Sequence, residues 1–100
     1  MFLRFVNGAE KKCTPPVEQK AFRNGVPVGW YVSFRMQGVT DSTEVDTLFS
    51  EENISELVFS NEDGAELVSL SGYKKVASCS IRYAEDAESI VTEVQLTKGE

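Results

Sequence analysis

Hydrophobic and polar side chains alternate most regularly just before the middle of the chain, where Trp30, Val32, Phe34 and Met36 interleave with Tyr31, Ser33, Arg35 and Gln37. A period of two is that of an extended strand. Four large apolar side chains on one face predict that this strand is central. The same alternation recurs near the C-terminus, with Ile90, Thr92, Val94 and Leu96 inward and Val91, Glu93, Gln95 and Thr97 outward. Between them, 54–60 and 65–70 read as a hairpin closed by Asn61-Glu62-Asp63-Gly64. A bend at Ser71-Gly72 leads to a long strand over 73–83. It places Ala77, Cys79, Ile81 and Tyr83 on one face and Val76, Ser78, Ser80 and Arg82 on the other. A turn over 84–87 then leads into the last strand, whose end at 98–100 is expected to fray.

One stretch departs from this period. In DSTEVDTLFSEENISELVF, residues 41–59, Val45, Leu48 and Phe49 fall at i, i+3 and i+4, a narrow apolar stripe on a helix. Asp41, Ser42 and Thr43 are competent N-caps, and Glu44 stands three residues after Asp41 as in a capping box. Glu44 and Asp46 fall early, where the helix dipole favours acids. Glu51-Glu52-Asn53 ends the pattern. The spacing predicts a short, one-sided helix over about 42–50 that lies on a sheet and around which the rest of the chain is arranged.

The N-terminal part reads as a hairpin, 2–6 against 9–14, turned by Asn7-Gly8 in type I′ geometry, with Lys11 and Lys12 blunting an exposed edge. Pro15-Pro16 stops pairing because neither residue offers an N–H. Residues 17–27 fit three readings: a loop, a short edge strand from Val17 to Phe22, or a mobile arm with a turn at Asn24-Gly25. The sum is six or seven strands and one helix between the third and fourth. This is an α+β chain, mainly β, whose antiparallel hairpins form a sandwich or partly open barrel with the helix plugging one side.

A chain of 100 residues is expected to form one domain. No apolar run approaches the length needed to span a bilayer, and the N-terminus, broken by Arg4 and lacking a small-residue cleavage site, does not read as a signal peptide. The expected setting is the cytoplasm, or a particle assembled there. In that compartment Cys13 and Cys79 are expected as free, partly buried thiols, although a disulfide between them is geometrically open. The net charge of −6 conceals an asymmetry: residues 1–40 hold six basic residues against two acids, and residues 41–100 hold four against fourteen. A chain with such polarity attracts copies of itself head to tail if the halves occupy different faces. If the strands interleave, the two signs mix.

There is no histidine, which removes Ser-His and Cys-His nucleophile pairs, the usual zinc sets and the commonest general base. The carboxylate pairs (Asp41 with Glu44, Glu51 with Glu52, Glu62 with Asp63, Glu85 with Asp86) sit at helix ends and turns, where acids are normally solvated. They lack the burial that would separate their pKa values and the spacing of a calcium loop. Glycines are scattered singly, so no phosphate loop is present, and no basic stripe marks a nucleic-acid surface. The expectation is no enzyme, no metal, no cofactor, no nucleic acid and no membrane. Tyr31 and Arg35, on the outer face of the central strand, are of types enriched at protein interfaces.

The runs TEVDTLFSEENISELVFSNEDGAE, SGYKKVASCSI and VTEVQLTK resemble small proteins encoded beside the tail genes of bacteriophages and prophages of Gram-positive bacteria. The matching positions are Leu48-Phe49 at the helix end, Glu51-Glu52-Asn53, the strand residues Leu57, Val58 and Phe59, Gly72-Tyr73, and the closing Leu96, Thr97 and Lys98. The resemblance spans residues 28–98 and rests on hairpins and a capped helix, which recur in many folds. It implies a structural or tail-assembly role with other phage structural proteins as partners, self-association into a homo-oligomer, and residence in a virion. Candidate contact residues are Lys11, Lys12, Phe22, Arg23, Tyr31, Arg35, Glu51 and Glu52. The alternative is a monomeric binding module for a peptide or small apolar ligand, marked by a cavity beside Ala77 and Cys79.

Overall fold

The computed structural model describes residues 1–39, 42–83 and 90–99. Eight strands and one helix follow in the order β1 (Phe2–Arg4), β2 (Glu10–Lys12), β3 (Val17–Arg23), β4 (Val26–Gln37), α1 (Ser42–Leu48), β5 (Glu56–Ser60), β6 (Glu66–Ser71), β7 (Lys75–Tyr83) and β8 (Ile90–Gly99). They form two antiparallel four-stranded sheets, β2-β1-β5-β6 and β3-β4-β8-β7. The sheets do not close into a barrel. The strand count exceeds the expected six or seven because β3 is a full edge strand. The Asp41 cap, the turn over 84–87, the Glu85-Asp86 pair and the terminal Glu100 lie outside the described residues. Among the described residues no helix is long and apolar enough to cross a membrane.

The alternation in β4 and β8 does what its period implies. Val32 pairs with Leu96, Phe34 with Val94 and Met36 with Thr92, and all six side chains are buried. Leu3, Leu57, Phe59 and Leu70 of the first sheet complete the core. Phe34 and Phe59 meet edge to face with centroids 5.5 Å apart, a favoured aromatic geometry. Thr92 is the exception in this apolar layer: its buried hydroxyl has no hydrogen-bond partner among the described residues. Thr92→Val replaces that hydroxyl by a methyl of the same shape and should raise stability by about 1 kcal/mol. A higher denaturant midpoint at unchanged slope is the expected reading; a lower one would mean that the hydroxyl has a partner.

The helix is not the centre of the fold. Its seven residues follow the end of β4, and it is anchored by its C-terminal end, where Leu48 and Phe49 are buried and Phe49 meets Phe5 edge to face at 5.5 Å. Two facing sheets bury more apolar surface than so short a helix can, so the core lies between them. In β7 the register shifts between Val76 and Ser78, a bulge at Ala77. The bulge brings Val76 onto the same face as Cys79 and Ile81, contrary to simple alternation.

The two Asn-Gly pairs make different turns. At Asn24-Gly25 both residues have positive φ, 51° and 80°, and Arg23 pairs with Val26, the two-residue type I′ hairpin. At Asn7-Gly8 only Gly8 is positive, at 88°. Gly8 N–H donates to the Phe5 carbonyl and Phe5 N–H to the Ala9 carbonyl, which makes a three-residue loop instead of the expected type I′ turn. Its Asn7 N–H donates to Asn53 Oδ1 (2.8 Å), so docking against the helix end accompanies the longer loop.

Between β2 and β3 the chain passes from one sheet to the other along β4. Cys13 bridges Met36, and Thr14 N–H donates to the Arg35 carbonyl while its Oγ1 accepts from Arg35 N–H. Pro15-Pro16 then interrupts the ladder before Val17 pairs with Ser33.

Candidate functional site

The last described pair between β4 and β8 is Gly29 with Gly99, and among the described residues 22–28 pair only within the β3–β4 hairpin. The φ of Gly29 is +150°, and a Cβ there would lie 2.2 Å from the Lys98 carbonyl oxygen. A register shift between Ala21 and Phe22 alters the twist at the same level. On the hairpin Phe22 and Val26 are each 60% exposed and Val28 47%. Phe22 pairs with Pro27 and Arg23 with Val26, so Phe22 projects from one face of the hairpin while Val26 and Arg23 share the other.

The base of the hairpin is basic. Lys20 stands 5.5 Å over the Trp30 ring and Arg23 is exposed at the tip. Lys74, Lys75 and Lys98 line a groove of about 370 Å³ with Ala21, Val28 and Trp30. The acid there is engaged: Glu18 Oε2 accepts from the Tyr73 hydroxyl at 2.6 Å and lies 4.0 Å from Lys98 Nζ. Lys98 is also 4.7 Å from the centre of the Tyr73 ring and donates to the Ser71 carbonyl. Burial, then the hydrogen bond to Glu18 and its charge, hold the Tyr73 hydroxyl far above the ordinary tyrosine range.

The opposite end of β4, roughly 36 Å away at about 3.3 Å per residue, leads into the helix and the acids that follow it. Asp46, Glu51 and Glu52 are exposed there. Asn53 is buried. Its Nδ2 donates to the Leu48 carbonyl and its Oδ1 accepts from Asn7 N–H, tying the helix end to the β1–β2 loop. Val6, Asn7, Thr47, Ser50, Glu52 and Asn53 together line a groove of about 260 Å³.

The eight residues singled out from the sequence fall in several places. Phe22 and Arg23 share the hairpin tip, and Glu51 and Glu52 share the helix end. Lys12 and Arg35 flank a groove with Cys13, Met36 and Val91, and Arg35 Nη2 also lies 3.0 Å from Glu93 Oε1. Tyr31 lies on the outer face of the second sheet, between Gln19 and Thr97. Lys11 is turned inward, half-buried, with its Nζ bound to the Gly38 carbonyl and to Glu44. Sequence reasoning missed Val26 and Val28, and it missed the Glu18–Tyr73–Lys98 group. The Asn-Gly turn signal marked the tip, but nothing in the sequence showed the register shift between Ala21 and Phe22.

The charges of the two sequence halves mix: Lys74, Lys75 and Lys98 of the acidic half join Lys20 and Arg23 near the hairpin, while Lys11, Lys12 and Arg35 of the basic half lie toward the helix. The thiols are free. Burial pushes Cys13 up to about 11, a little opposed by the N-terminal ammonium, and raises Cys79. Both therefore stay protonated and poorly nucleophilic at neutral pH. A groove of about 460 Å³ runs beside β7, lined by Val17, Ser33, Arg35, Ser78, Glu93 and Gln95; Ser78 reaches it, while Ala77 and Cys79 on either side do not line it. No protein family model, curated protein or solved structure matches this chain.

Proposed function

We propose that this chain is a structural assembly protein that self-associates and grips neighbouring subunits with its β3–β4 hairpin, as a component of a phage tail region would. The observation that carries the reading is the exposure of Phe22, Val26 and Val28 on the β3–β4 hairpin, whose residues 22–28 pair only with each other among the described residues. The resemblance of residues 28–98 to phage tail-region proteins supplies the setting. The hairpin tip adds little to the core, so its exposed apolar area is free to be buried against another protein.

The experiment is light scattering over a range of concentrations. The wild-type mass should rise above the 11.1 kDa of one chain. Phe22→Ser should weaken association about tenfold, the effect of losing one buried aromatic anchor. Its melting temperature should fall only slightly, because Phe22 is mostly exposed and adds little buried area to the fold. A single-chain mass at every concentration, or an oligomer indifferent to this substitution, would count against the reading.

A further inference from the structure

We infer that the copies join head to tail, the β3–β4 hairpin of one seating in the groove beside the helix end of the next. This rests on the reading of the hairpin as the gripping element and names what it grips: a second copy of this chain. The two surfaces lie at opposite ends of β4, in a molecule whose longest extent is 43 Å. They are complementary in charge. The hairpin end presents Lys20 and Arg23 with Lys74 and Lys75 nearby; the helix end presents Asp46, Glu51 and Glu52, opposed by the exposed Arg4, which lines the adjoining groove with Val6 and Glu56. Tip against tip would bring Arg23 toward Arg23, a like-charge contact that disfavours pairing.

The groove also fits the tip in chemistry and in stiffness. Val6, 55% exposed, supplies an apolar wall for Phe22 or Val26, and Glu52 at the rim is placed to receive the Arg23 guanidinium. Because Asn53 fastens the helix end to the β1–β2 loop from within, the groove is pre-formed and loses little freedom on binding. A contact between two different patches of identical chains is heterologous. It continues from copy to copy, closing into a ring or extending as a filament. A seven-residue tip makes a small interface, so the association should be weak, concentration-dependent and reduced by salt.

Three single variants and one mixture test this: Arg23→Glu, Glu52→Lys, and Glu62→Lys as a control that changes net charge on the 61–64 turn. All three positions are exposed, so folding should be retained, and melting curves check that it is. In sedimentation at low salt the wild type should form species larger than dimers. Arg23→Glu and Glu52→Lys should each weaken association about tenfold, and Glu62→Lys should leave it intact. An equimolar mixture of the two weakened variants should recover it, since each altered surface then meets an opposite charge. A species that stops at two copies, a chain that remains single, or a mixture that does not recover would overturn the head-to-tail contact. If Phe22→Ser still dissociates an oligomer that the charge variants leave intact, the hairpin reading stands and only its docking partner is wrong.

Discussion

Tyr73→Ala should cost the fold about 4 kcal/mol, the usual range for removing a buried aromatic ring. Tyr73 lies in the link between β6 and β7 yet is completely buried, among the largest side chains of the core. Alanine would leave a cavity there and strip the Lys98 ammonium of the ring beneath it. Tyr73→Phe keeps the ring and removes only the hydroxyl that donates to Glu18, so it should cost about 1.5 kcal/mol, the smaller value expected for one hydrogen bond to a carboxylate. Equilibrium urea denaturation of the two variants separates these effects. Equal losses would mean that the hydroxyl, rather than the packing, dominates.

The same hydroxyl makes stability depend on pH in the alkaline range. Its pKa is raised in the folded protein, chiefly by burial and further by the bond to Glu18 and its charge. An unfolded tyrosine ionises near pH 10. Below that both states carry the proton and the full contribution of Tyr73 is present. Above it the unfolded state gains by ionising while the folded state does not, so stability should fall as pH rises toward the folded pKa. Melting temperatures measured above pH 10 should decline in the wild type and decline less in Tyr73→Phe. Identical slopes would refute the linkage.

Gly29→Ala should cost about 3 kcal/mol, near the upper end for forcing a side chain into a glycine-only backbone region. At φ +150° a Cβ would collide with the Lys98 carbonyl oxygen, a backbone atom that can yield only if β8 moves. Gly64 is the control. Its φ of +85° is also positive, but a Cβ there meets nothing within 4 Å, so Gly64→Ala should cost only about 1 kcal/mol. Denaturant midpoints compare the two. Amide exchange along the Trp30–Lys98 pairing should quicken in Gly29→Ala and stay slow in Gly64→Ala. Because Gly29 pairs with Ala21 beside the register shift of the hairpin, the variant should also weaken self-association.

What could be read before folding was what depends on nearest neighbours along the chain. Alternation in 30–36 and 90–96 determined which side chains of β4 and β8 face inward, because a strand's side chains alternate by geometry alone. The i, i+3, i+4 spacing of Val45, Leu48 and Phe49 determined that a short helix forms there. The absence of histidine determined which chemistries lack their usual groups. Phe22 and Arg23 could be marked as candidates because their segment had no pattern that called for burial.

Tertiary structure decided the rest. Lys11 and Lys12 are equivalent in sequence, but only Lys11 reaches Gly38 and Glu44, because successive residues of a strand point to opposite faces and one face meets the helix. The bulge at Ala77 moved Val76 to the inner face, and no local signal distinguishes that alanine from its neighbours. Tyr73 is buried although it lies in a link between strands, and the groups that meet it, Glu18 and Lys98, come from strands far away in sequence. At the β3–β4 hairpin the register shift between Ala21 and Phe22 decides which side chains share a face, setting Phe22 opposite Pro27 and Arg23 opposite Val26. Register is a property of pairing between segments, so no nearest-neighbour pattern in 17–28 could show it.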